Sequence, residues 1–336
     1  MIISWNITKQ CNLYCEHCYR DSEQKQYDGE LTTEEGKKLI KEIAQAGFKI
    51  LILSGGEPLI RKDIFEFASY AKSIGLKPVV GTNGTLITLE MAKRMKESGI
   101  EAAAISIDDL CGERHDSFRN IQGSFQKALE GIDHCVKAGI RVQINTTVTK
   151  ANKDSILEIT DLARRVGASS HHPFFLVEVG RGDNLGHLSL ENKEYIELIH
   201  SILDKQLDTE LELKPTCAPQ FMSFAKQRDM KMRFTRGCIA GIGYCCILPN
   251  GDVHICPYLP IKVGNVKETS FDRIWRDNEI FNDLRNFNKY KGKCGECANL
   301  SICGGCRARA YKKTGDFLEE DPASDYCYMN MRESVL

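Results

Sequence analysis

Cys11, Cys15 and Cys18 stand at C-x3-C-x2-C spacing just after a short apolar run, Ile2-Ile3-Ser4-Trp5. Cysteine thiolates hold iron–sulfur clusters, usually four to a cubane, so a loop that offers three leaves one iron with an open position. An open iron is a reactive iron. Structural zinc is the competing use of such a loop, with His17 inside it as the fourth donor zinc would want.

A second concentration of cysteines lies at the far end of the chain. Of fifteen cysteines, three fall by residue 18 and ten from Cys217 onward; Cys111 and Cys135 between them read as ordinary small hydrophobes. In a chain of this size, that clustering points to metal ligation rather than to the disulfides of a short secreted protein. The order is Cys238-x6-Cys245, Gly251-x4-Cys256, Cys294-x2-Cys297-x5-Cys303-x2-Cys306, then Cys327. One C-x2-C pair is a weak signal, and eight cysteines in this order are a strong one, with a zinc ribbon as the alternative for the paired motifs. Cys246 lies beside Cys245 and would point to the opposite face of a strand. Cys217, bracketed by Pro215 and Pro219, has no partner spacing and reads as either a buried thiol or a substrate contact.

The elements that must position these residues follow from periodicity. Short β-branched runs at Ile2–Asn6, Lys49–Leu53, Pro78–Gly81, Ala102–Ile107, Arg141–Val148 and His172–Val177 alternate with amphipathic segments of period about 3.6. The clearest helix starts after Thr32, where Glu35 completes a capping box and Leu39, Ile40 and Ile43 form an apolar stripe ended by Gly47. Such alternation predicts an α/β fold with a parallel sheet, here a partial (β/α)6 TIM-type barrel with chemistry at the C-terminal strand ends. The cysteine loop follows the first strand, where that rule places it. After the second strand comes Ser54-Gly55-Gly56-Glu57-Pro58, whose paired glycines let backbone approach a ligand and whose carboxylate can accept from an ammonium. Adjacent His171 and His172 would face opposite ways, so at most one looks into the barrel, as an axial ligand, an acid or a structural histidine.

Ser189–Leu213 reads as a linker helix, which divides the chain into a barrel over residues 1–210 and a cysteine-rich unit over 211–336. In the latter, an alternating run broken by Asn250-Gly251 predicts a hairpin between Tyr244 and Cys256. With 336 residues, 42% hydrophobic and 27% charged at a formal net charge of −1, the bulk numbers carry no nucleic-acid or membrane-surface footprint. No apolar run reaches the roughly 18 residues of a membrane span and Met1 leads straight into a strand, so the expectation is a cytoplasmic protein without a membrane partner.

The C-x3-C-x2-C loop after an N-terminal strand resembles the signature of radical S-adenosyl-L-methionine (SAM) enzymes. The resemblance implies a 4Fe-4S cluster on Cys11, Cys15 and Cys18 whose open iron chelates SAM, one electron cleaving it to a 5′-deoxyadenosyl radical. His17 occupies the place of the family's usual aromatic. By the same resemblance Gly55, Gly56 and Glu57 hold SAM's amino group, and Thr82, Asn83, Ser106 and Asp108 face its ribose. Asn145, Thr147 and Arg181 are further candidates for SAM contact.

The later cysteines resemble the SPASM extension, which implies auxiliary 4Fe-4S clusters. Cys238, Cys245, Cys256 and Cys306 would hold an inner one, and Cys294, Cys297, Cys303 and Cys327 an outer one. The final x2 spacing replaces the family's x3, which leaves one or two auxiliary clusters open.

Lys214–Gln220, Arg236–Gly241 and Cys303–Ala310 narrow the resemblance to the AhbD/NirJ haem-biosynthesis group. The absence of a segment before the first strand favours the AhbD type. That type implies oxidative decarboxylation of two iron-coproporphyrin III propionates to vinyls, with an iron-porphyrin substrate and a reducing donor such as ferredoxin or flavodoxin. The alternatives are NirJ-like propionate removal in nitrite-reductase haem synthesis and a SPASM peptide maturase. An anionic substrate needs cations, for which Arg181, Arg236, Arg307 and Arg309 are the candidates.

Overall fold

The computed structural model describes residues 1–324. Strands β1 (Ile2–Thr8), β2 (Ile50–Gly55), β3 (Lys77–Thr82), β4 (Ala102–Ser106), β5 (Arg141–Val148) and β6 (Ser170–Phe175) pair in parallel in chain order, and a two-residue β7 (Glu212–Leu213) follows β6. Helices α1 (Thr33–Gln45), α2 (Ile64–Ser73), α3 (Leu89–Glu97), α4 (Gly112–Arg119), α5 (Ser124–Lys137), α6 (Ile156–Arg165) and α7 (Asn192–Leu207) connect them. The capping box at α1 is complete: Thr32 accepts from the Glu35 N–H and the Glu35 carboxylate accepts from the Thr32 N–H. Helix α4 was not legible in the sequence, because its buried residues are His115 and Arg119 rather than an apolar stripe.

Strand parity separates two faces. Ile3 and Trp5 of β1, Leu51 and Leu53 of β2, Val80, Ile105 and Ile144 are fully buried in the core. Each such apolar side chain contributes roughly 1.5–3 kcal/mol by leaving water. The alternate positions, among them Ser54, Gly81, Ala104, Ser106, Asn145 and Thr147, are half-buried. The registers Asn6–Ser54, Gly81–Ala104, Ser106–Asn145 and Asn145–His172 align them on one face. Small and polar side chains on that inner face leave a partly open barrel interior.

The cysteine-rich segment does not stand apart. After α8 (Phe221–Gln227), strand β8 (Tyr244–Ile247) pairs in parallel with β1, and β9 (Asp252–Cys256) and β10 (Leu259–Asn265) extend the sheet antiparallel. The strand order is β10-β9-β8-β1-β2-β3-β4-β5-β6-β7. The expected hairpin at Asn250-Gly251 is therefore part of the barrel sheet, and β10 is an addition to the sequence reading. The expected boundary at residues 210 and 211 falls immediately before β7. The chain then continues through α9 (Phe271–Asp277), α10 (Glu279–Arg285), α11 (Gly292–Gly295) and α12 (Arg307–Thr314). Among the described residues, no helix is long and apolar enough to cross a membrane.

Candidate functional site

The cysteine loop is clasped from two sides. Arg119, at the end of α4, is buried and pairs with buried Asp108, its Nη2 2.7 Å from Oδ2, while its Nη1 lies 4.0 Å from the Cys15 sulfur. The carbonyls of Phe118 and Arg119 accept from the N–H groups of Glu16 and Tyr14, and the Phe118 ring stacks on His17 at 4.2 Å. Asn120 closes α4 in the left-handed region and donates its amide to the Tyr14 carbonyl. From the other side Arg181 donates Nε to the Cys15 carbonyl and Nη1 to that of Ser22, each at 2.9 Å, and lies over the Tyr14 ring. Gly180, at φ +58°, leaves room for this clasp, since a Cβ there would come 2.6 Å from the Cys18 carbonyl oxygen.

The loop thus orders its own thiols. Cys11 accepts from the Leu13 N–H at 3.4 Å and Cys18 from the Ser22 N–H at 3.5 Å. Burial, with the Glu57 carboxylate nearby, pushes the Cys11 thiol up to about 12. A metal centre must displace that proton as it binds.

At the end of β2 the paired glycines pack on protein backbone. A Cβ on Gly55 would meet the Thr8 carbonyl oxygen at 2.3 Å, and one on Gly56 that of Gln10 at 2.2 Å. The backbone these glycines admit is that of the cysteine loop itself, held by Gly56 N–H to Thr8 and Glu57 N–H to Gln10, both 2.8 Å. Glu57 is fully buried and does not stand free: it accepts from the Thr82 hydroxyl and from the N–H groups of Asn83 and Leu59. Burial raises its carboxyl to about 7 against the pull of those bonds. The Thr82 hydroxyl is thereby engaged as well. Asn83 reaches back to the Asn12 side-chain oxygen at 2.9 Å and to Cys11. Glu57 thus fixes the glycine turn from within the protein.

Ser106, Asn145 and Thr147 lie on the inner face, as strand parity requires. Asp108 closes β4 beneath them, accepting from the Thr147 N–H at 2.8 Å. Burial alone would raise its carboxyl, but Arg119, His17, His115 and that N–H hold it at about 2. His172 takes the inner face beside Glu212, 3.3 Å away. His171 takes the outer one, both ring nitrogens bonded at 2.9 Å to Thr146 and Thr160. His171 is a satisfied core histidine.

The second cysteine set forms two neighbourhoods. Cys294, Cys297 and Cys303 lie together, and their sulfurs accept from the N–H groups of Asp321, Asn299 and Gly305 at 3.4, 3.4 and 3.5 Å. Cys327 lies outside the described residues. Cys238, Cys256 and Cys306 form the other neighbourhood, Cys238 N–H bonding the Cys303 carbonyl between the two. Cys245, expected with them, sits on the opposite face. Cys246 pairs with Ser4 of β1 and with His254 of β9, which puts Cys246, His254 and Cys256 on one side of the sheet and Cys245, paired with Ile3, on the other.

Each of the four arginines expected for an anionic substrate already bonds the protein, although Arg236 keeps a buried Nη2 without a partner. Arg181 clasps the loop. Arg236 bonds the carbonyls of Cys238 and Ser301, Arg307 those of Phe317 and Glu319, and Arg309 pairs with Asp321 and bonds the Cys217 carbonyl. The inner face carries a different cation, Arg20, whose Nη2 lies 3.1 Å from the Cys246 sulfur and whose Nε has no partner. Sequence reasoning missed Arg20, Arg119, Phe118 and Asn120. Only proximity of Arg20 to Cys18 could have signalled any of them.

The residues fit iron–sulfur clusters and a bound ligand. Among the described residues no three donors converge tightly enough for one metal ion, whereas a cubane takes each thiolate on a separate iron. Backbone N–H groups aimed at the sulfurs are the contacts that stabilise thiolate ligands. The Asn6 amide, His17 Nδ1, Arg20 Nε and His254 Nδ1 are buried without partners, which marks the interior around the loop as a place for a polar guest.

Residues 5–163 match the radical SAM superfamily and residues 238–306 the SPASM iron–sulfur cluster-binding domain. The chain is 42% identical to the AdoMet-dependent heme synthase of Methanosarcina barkeri, over 97% of this chain and 95% of that protein. It is 34% identical to the Fe-coproporphyrin III synthase of the same organism, over 99% and 88%. Its fold matches SuiB of Streptococcus suis bound to S-adenosylmethionine with a TM-score of 0.75 at 18% identity, over 96% of this chain and 77% of that one.

Proposed function

The chain belongs to the radical SAM superfamily and carries its SPASM extension, and from that membership we propose that it makes haem by oxidative decarboxylation of iron-coproporphyrin III. The observation that carries this reading is the 42% identity to an AdoMet-dependent heme synthase over nearly the whole of both chains.

Cys11, Cys15 and Cys18 would hold the cluster that, with SAM, would supply radical hydrogen abstraction at a propionate β-carbon, and the later cysteines would hold clusters able to accept the remaining electron. Each propionate becomes a vinyl group by losing carbon dioxide, one hydrogen atom and one electron. The chain's own residues hold the parts in place. Arg119 and Arg181 fix the cysteine loop, and Glu57 with Thr82 fixes the glycine turn that packs on it. Ser106, Asn145 and Thr147 line the interior for the cosubstrate, and Gly81 and Ala104 leave space beside them. Arg20 is the cation proposed to receive a propionate, with its unpartnered Nε and a guanidinium geometry suited to a carboxylate. The reaction needs a low-potential donor, for which ferredoxin or flavodoxin is the proposed class, and a reducing compartment such as the cytoplasm.

The test is anaerobic. Reconstituted protein is supplied with SAM, dithionite and iron-coproporphyrin III, and the porphyrins are followed by mass spectrometry. Two successive losses of carbon dioxide plus hydrogen, with matching deoxyadenosine, are expected. Deoxyadenosine without porphyrin change would sink the substrate assignment, and didecarboxysirohaem would be tried next.

A further inference from the structure

The turn that carries Cys217 is held with unusual firmness. β7 runs on into a bridge between Thr216 and Phe174, the Phe175 N–H bonding the Thr216 carbonyl at 3.0 Å. The chain then reverses at Cys217 itself, whose φ is +58°. A cysteine in the left-handed region is strained and persists only where its surroundings over-determine it. They do so here. Arg309 bonds the Cys217 carbonyl while pairing with Asp321. Asp321 also accepts from the Cys306 N–H at 2.6 Å and from the Gln220 amide at 2.8 Å. Gly237, next to Cys238, packs so closely on Pro219 that a Cβ would lie 2.4 Å from the Pro219 carbonyl oxygen. The turn is thus tied on one side to Cys306 and on the other to Cys238, and the Cys217 thiol feels the charges of Cys306, Cys256 and Cys238.

Cys245 shows the reverse pattern. Parity across β1, β8 and β9 turns it away from Cys256, and it lies in the apolar core. Cys246 shares the face of Cys256 and accepts from Arg20, and it is absent from the cysteine charges acting on Cys217.

We propose that the inner auxiliary 4Fe-4S cluster is held by Cys217, Cys238, Cys256 and Cys306, and that Cys245 is a core thiol with no metal. The strained turn then has a purpose: it sets the fourth thiolate just past the C-terminal end of β7. This assignment does not depend on which tetrapyrrole is the substrate.

The test uses the full chain, purified and reconstituted anaerobically, with iron counting, Mössbauer spectroscopy and EPR of the reduced protein. Cys217→Ala is expected to lose up to about four irons per chain, or to convert one cluster to a three-iron form. Cys245→Ala and Cys246→Ala are expected to keep the full count and the native spectrum. Cys217→Ser, which retains an oxygen donor, should keep its iron but shift the EPR signal of one cluster. The SAM-induced change in the spectrum of the N-terminal cluster reports folding in every variant. A native spectrum in Cys217→Ala, or cluster loss in Cys245→Ala or Cys246→Ala, would overturn the assignment.

Discussion

Asp108 and Arg119 form a buried ion pair beneath the cysteine loop, 2.7 Å apart, with 2% and 5% of their surfaces exposed. The pair joins the end of β4 to the end of α4, and α4 in turn carries Phe118 and Asn120 against the loop. A change at either partner is therefore felt at the thiols.

Removing only the cation leaves a carboxylate buried and uncompensated. Arg119→Met is expected to destabilise the chain by about 3–5 kcal/mol, read as a lower urea midpoint, and to reduce the iron held by the N-terminal site. Adding Asp108→Asn should recover part of the stability. Full iron and an unchanged midpoint in Arg119→Met would refute the role given to the pair.

The same carboxylate sets a pH dependence. Its folded value of about 2 lies below the ordinary 3.8, so the unfolded chain binds the proton more readily. The contribution, about 2 kcal/mol, is fully present above about pH 4 and is lost as pH falls through 2. Urea midpoints of the native chain and Asp108→Asn should therefore converge as pH falls from about 4 to 2, and parallel curves over that range would contradict this.

Gly56→Ala places a methyl group 2.2 Å from the Gln10 carbonyl oxygen, a contact that only movement of the cysteine loop can relieve. The N-terminal cluster should be lost or unstable while the auxiliary signals remain, which EPR with and without SAM distinguishes. A wild-type response to SAM would show that the loop tolerates the displacement.

Arg181→Lys keeps the charge but cannot bond the Cys15 and Ser22 carbonyls as a fork. SAM affinity, measured by anaerobic equilibrium binding, is expected to fall by about tenfold, the equivalent of one or two charge-assisted hydrogen bonds. If charge alone mattered, the lysine variant would bind SAM normally.

What periodicity could reveal, it revealed: the parallel alternation, the α1 capping box and the hairpin at Asn250-Gly251 all rest on local patterns of apolar and turn residues. Helix α4 escaped because its inner face is built from His115 and Arg119, which become inner residues only once Asp108 is beside them. The four arginines misled for a related reason. A guanidinium looks available in a sequence until the carbonyls it bonds, up to 166 residues away for Arg181 and Cys15, are in place.

By itself the sequence determined the inventory: three thiols in a loop after the first strand, a second set near the far end, and a strand-helix alternation able to carry them. Those follow from composition and spacing, which act along the chain. Only the tertiary structure decided the direction of each group. Pairing of β8 with β1 sets Ser4 beside Cys246 and so turns Cys245 outwards, and the Arg309–Asp321 pair ties Cys217 to Cys306. Side chains alternate along a strand, so a shift of one residue reverses the face. The register that removes this ambiguity is formed between segments more than two hundred residues apart.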